Sequence, residues 1–164
     1  MAKSKRKIVW MAAQLIVLIM LVLAVVGVCI AWISRVFVSG LVEDSPSLDT
    51  LSGIAGYTSM SSYRAMLAFA IITVVLVAAT AALTALAKLF GGYLWLVLLI
   101  VSALCLISGI VCIITTDVFC DNIAVTVLPG LTNLSGAYPA SGAWLTAVSA
   151  MISGIVGAFA SFKA

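Results

Sequence analysis

The stretch Ala65–Ala87, AMLAFAIITVVLVAATAALTALA, is uninterrupted by any charged residue. A helix rises about 1.5 Å per residue, so about 20 such residues cross the ~30 Å hydrocarbon core of a bilayer. Three more uncharged apolar runs are long enough to do the same: Ile8–Ile33, Tyr93–Thr116 and Ala140–Phe162. Of the 164 residues, 65% are hydrophobic and only 8% charged, which excludes a soluble globular or a disordered chain. The four runs predict an all-α integral membrane protein, a four-transmembrane-helix up-down-up-down bundle forming one membrane domain over residues 1–164. Outer loops 34–64 and 117–139 are too short for a separate domain and predict a small extracytoplasmic cap.

The charges sort by side. Threading four spans from an inner N-terminus puts Lys3, Lys5, Arg6, Lys7, Lys88 and Lys163 on one face. The other face receives Arg35, Arg64 and every acid: Glu43, Asp44, Asp49, Asp117 and Asp121. An excess of Lys and Arg marks the cytoplasmic side, so N and C termini are expected inside a cell (plasma or inner) membrane. The basic N-terminus also predicts an electrostatic contact with anionic lipid, whereas nucleic acid would need a larger basic surface and is not an expected partner. Trp10 and Trp95 fall at inner span ends, Trp32 and Trp144 at outer ends, as interfacial belts require. The first run is too long for a signal-peptide core of about 7–15 residues and is read as retained.

Connections add detail. Lys88–Gly92 is so short that the second and third spans must lie side by side. In the first outer loop, Ser45-Pro46 resembles a helix N-cap, with Leu48, Leu51 and Ala55 on one face of a short helix lying on the membrane surface. In the second, Ile123, Val125 and Val127 alternate with Ala124 and Thr126, which predicts a strand before Pro129-Gly130.

The fourth span differs from the leucine-rich first. Thr146, Ala150, Gly154 and Ala158 form one ridge of small residues, and Ser149, Ser153, Gly157 and Ser161 form its neighbour. Hydrocarbon gives helices little hydrophobic reason to associate, so such ridges mark close helix packing. Packing within the bundle is the plain reading; the sharper one gives the second ridge to a partner protein or a second copy.

The chain has no histidine, and no ionisable Asp, Glu, Lys or Arg lies inside a span. That counts against proton relays and voltage sensors, and it excludes His-ligated haem, His-containing zinc sites and Ser-His-Asp catalysis. No cofactor or metal is expected. Asp117 and Asp121 are the one carboxylate pair at helical spacing, and they read as solvated loop charges. Arg35 and Asp117, each just beyond an outer span end, are a candidate ion pair. Of the four cysteines, Cys29, Cys112 and Cys120 lie near the outer side, where a Cys112–Cys120 or Cys29–Cys120 disulfide is allowed by location. Cys105 reads as a small buried apolar residue.

The layout is similar to that of claudin-like four-span proteins, but their loop signature of tryptophans and paired cysteines is missing, and no function carries over. The sequence therefore predicts a non-enzymatic membrane subunit, assembly factor or scaffold, working through helix packing and its outer loops. Its partners would be the lipid bilayer and another membrane protein or itself. Two alternatives stand beside it: an oligomeric channel or transporter component lined by Ser and Thr hydroxyls, and an intramembrane enzyme using Asp117, Asp121 or the thiols.

Overall fold

The uncharged runs become four long helices in the computed structural model of the chain, which describes residues 2–37, 43–44, 46–53, 56–125 and 134–163. In chain order the elements are α1 (Ala2–Cys29), β1 (Ile33–Phe37), β2 (Glu43–Asp44), α2 (Leu48–Ser52) and α3 (Ser61–Phe90), followed by α4 (Leu94–Val125), β3 (Leu134–Pro139) and α5 (Ser141–Lys163). Among the described residues, α1, α3, α4 and α5 are each long and apolar enough to cross a membrane. The protein is a multi-pass membrane protein built on these four helices.

Helix α1 turns its small residues inward. Ala13, Val17, Ala24 and Gly27 are buried, while Leu15, Leu18, Ile19 and Val22 face out. Such bulk suits a lipid-facing surface, because lipid tails are as apolar as leucine. Helix α5 is the most enclosed: 44% of its most apolar window is buried, against 22% for α1. It packs against α1, α3 and α4. Between α3 and α4 the chain reverses at Gly91 and Gly92, both with φ +62°, a left-handed conformation that glycine adopts without strain. The Gly91 N–H closes α3 on the Ala87 carbonyl at 2.9 Å.

The cap is not made of loops alone. A three-stranded antiparallel sheet in the order β2-β1-β3 pairs Arg35 with Asp44 on one side and with Ala137 on the other. Two expectations change here. The residues expected as a strand are helical as far as Val125, and residues 126–133 lie outside the described set. Phe119, Cys120 and Ile123 are buried, and this helical spacing of buried positions prevails over the alternation further on. The strand of that segment is β3 instead.

The N-cap of α2 is Ser47, whose Oγ accepts from the Thr50 N–H at 3.4 Å, rather than Ser45. The reason is long-range. The Pro46 carbonyl accepts from the Trp32 N–H at 2.9 Å, and Ala31 bridges to Ser47, so both residues are held extended before the helix can start. Leu48 and Leu51 then enter the cap core instead of lying on a membrane surface; Ala55 is outside the described residues.

Candidate functional site

Two packed regions carry the sequence's candidate residues: the seam around α5 and the core of the cap. In the seam, Thr146, Ser149, Ala150, Ser153, Gly154 and Gly157 are all buried, and Ala158 and Ser161 are half-buried. Both ridges turn mainly into the bundle, with only Ala158 and Ser161 partly open. Three neighbouring helices surround α5, and accommodating them uses both ridges. The outward face of α5 is large and apolar: Trp144, Val148, Ile155 and Phe159.

Close approach is visible atom by atom. The Gly142 N–H donates to the Ala31 carbonyl at 2.8 Å, and a Cβ on Gly142 would overlap the carbonyl oxygens of Gly27 and Ala31. A Cβ on Gly154 would lie 2.7 Å from the Ser102 carbonyl oxygen. Thr146 Oγ1 donates to the Ala24 carbonyl at 3.3 Å, and Cys105 Sγ to the Ala150 carbonyl at 3.3 Å. Other interior hydroxyls bond back to their own helix, Thr73 to Phe69, Thr80 to Leu76, Thr84 to Thr80 and Thr116 to Cys112. These bonds satisfy the hydroxyls within the protein itself. Ser102 Oγ and Ser153 Oγ are buried with no partner.

The cap core gathers Trp32, Ile33, Leu48, Leu51, Tyr57 and Phe119 with the cap-side ends of α3 and α5. The Phe119 ring meets Tyr57 edge-on at 5.3 Å and Tyr63 at 5.7 Å between centroids. Arg35, on the central strand, is buried. Its Nη1 donates to Tyr57 Oη at 3.2 Å at the edge of the cap core, and Asp117 is exposed on α4. A buried cation needs hydrogen-bond acceptors more than a surface partner. Tyr57→Phe removes one, and an expected loss of about 2 kcal/mol should appear as a lower thermal midpoint in mild detergent. Tyr57 and Phe119 were not legible as site residues, because their contact joins segments far apart in sequence.

All four thiols are free, Cys29 exposed and Cys105, Cys112 and Cys120 buried. A Cys112–Cys120 disulfide is ruled out by α4 itself. Eight residues of unbroken helix separate the two by about 12 Å, beyond the ~7 Å that a disulfide tolerates between Cα atoms. Helix α4 continues past the apolar run that ends at Thr116, as far as Val125. Asp117 and Asp121 sit one turn apart on that same helix, both exposed. Among the described residues no group of three or more His, Cys, Asp or Glu gathers as metal ligands.

The chain is thus defined as a small helical membrane protein with a sheet-containing cap and a densely packed interior. In comparison with known proteins, no family model matches it and no curated protein is similar enough to count as a relative.

Proposed function

We propose that the chain is a non-enzymatic subunit or scaffold of the cell membrane, threaded up-down-up-down with both termini cytoplasmic, that presents its outer cap to another membrane protein or to a second copy. The observation that carries this reading is the division of labour between the two regions. Interior small residues hold the bundle together and most interior hydroxyls are spent on backbone carbonyls, whereas the cap combines an aromatic core with exposed carboxylates at Asp49, Asp117 and Asp121. A surface that carries several exposed charges of one sign suits recognition, since charge complementarity selects partners and orients them. The threading is supported by contacts at both ends. Lys88, at the end of α3, lies over the Trp10 ring near the start of α1, while Tyr63 at the start of α3 joins the cap core.

Release from native membranes in mild detergent, followed by the intact mass of the assembly, tests the reading. A second polypeptide or second copy at fixed stoichiometry is expected. Its recovery should fall at least tenfold in Asp117→Lys/Asp121→Lys with the thermal midpoint unchanged. Unchanged recovery, or solute flux through the purified protein alone, rejects it. The same variant reports the threading: a membrane-impermeant amine reagent applied to intact cells should modify the new outer lysines and spare Lys88.

A further inference from the structure

At the helix ends remote from the cap, a cavity of about 950 Å³ opens among all four long helices. Its cations are Lys3, Lys5, Arg6 and Lys7 from α1 and Lys88 from α3; among the described residues no carboxylate lines it. Like charges converging in one recess repel each other and favour an anion between them. The Lys88 ammonium stands 4.3 Å over the Trp10 ring, a cation–π contact that holds it at the wall. Trp10 Nε1 is itself a buried donor without a partner.

The rest of the wall is apolar: Val9, Ala13, Trp95, Phe159 and Ala160. A free anion would use only the cations, and a hydrocarbon chain only the other wall. An amphiphile with an acidic phosphate head uses both. The volume is of the size that ligand sites take, and the two tryptophans belong at headgroup depth.

We propose that this cavity is a specific site for an anionic glycerophospholipid, its phosphate held by the lysine and arginine cluster and its first acyl carbons lying along Val9, Ala13 and Phe159. The shared chemistry is a phosphate anion, and lipid rather than soluble phosphate is favoured by the apolar wall. This inference is independent of the partner proposed for the cap and of which side of the membrane the termini occupy.

The test uses the full-length protein in uncharged detergent at low salt. Its thermal midpoint is titrated separately with short-chain phosphatidylglycerol, short-chain phosphatidylcholine and inorganic phosphate. A saturable rise with phosphatidylglycerol alone is expected, because a ligand that binds only the folded state stabilises it by mass action. Lys88→Gln and Lys7→Gln should each weaken the apparent affinity about fivefold, as expected for about one interfacial cation's contribution. Arg64→Gln, at the cap end, should leave it unchanged. Lys7 is exposed in the early turns of α1, so its variant keeps the test valid should Lys88→Gln fail to fold. An equal rise with phosphatidylcholine overturns the site, and an equal rise with inorganic phosphate replaces the lipid by a soluble anion. An equal loss in Arg64→Gln reduces the effect to diffuse charge and overturns it too.

Discussion

Gly142→Val is expected to force α1 and α5 apart and to remove about 3 kcal/mol of stability or more. Overpacking in a well-filled interior costs about 1–3 kcal/mol where side chains can yield. Here they cannot: the atoms that a Cβ would meet are the backbone carbonyl oxygens of Gly27 and Ala31. The shift would also strain the Gly142–Ala31 hydrogen bond and the nearby Thr146–Ala24 bond, which tie the same two helices. Gly154→Val should behave similarly against α4, where the obstruction is the Ser102 carbonyl. Gly136→Val is the matched control, since nothing lies within 4 Å of its added Cβ and a strand favours valine. It should change stability by less than about 0.5 kcal/mol. Thermal unfolding in mild detergent separates these cases, and equal midpoints for Gly142→Val and Gly136→Val would refute the close seam.

Phe119→Ala is expected to lose about 4 kcal/mol, within the range for emptying a buried phenyl site and losing its aromatic pairs. The ring is fully buried and holds Tyr57 and Tyr63 edge-on. Those contacts join α4 to α3 and to the segment after α2, so the damage should concentrate in the cap. Amide exchange should accelerate in β1 and β3, whereas exchange in the membrane-spanning part of α5 should stay slow, because its seam against α1 and α4 is untouched. Uniform acceleration through all four long helices would show instead that the cap and bundle unfold as one unit. The distinction bears on function: a cap that loosens independently could be tuned by a partner without disturbing the bundle.

Much of this molecule was written locally. A bilayer judges each residue by its own transfer energy, so the uncharged runs from Ile8, Ala65, Tyr93 and Ala140 announced four helices without any knowledge of their neighbours. The small-residue spacing of the fourth run marked the helix that would lie deepest, because only small side chains let backbones meet. What that spacing could not convey was how many neighbours α5 has. With α1, α3 and α4 around it, both ridges are used inside one chain.

The cap was decided by tertiary contacts. Residues 46 and 47 stay extended because Trp32 and Ala31 pair with them, so α2 starts at Leu48 and its cap is Ser47. Helix α4 outruns its apolar stretch because Phe119, Cys120 and Ile123 find the cap core on one side. Arg35 lies inward because a strand on each side places it beside Tyr57. Hydropathy and charge are properties of single residues and could be read in order along the chain. Strand register, helix ends in the cap and the burial of a cation are properties of pairs far apart in sequence, and they came into being only when the chain closed on itself.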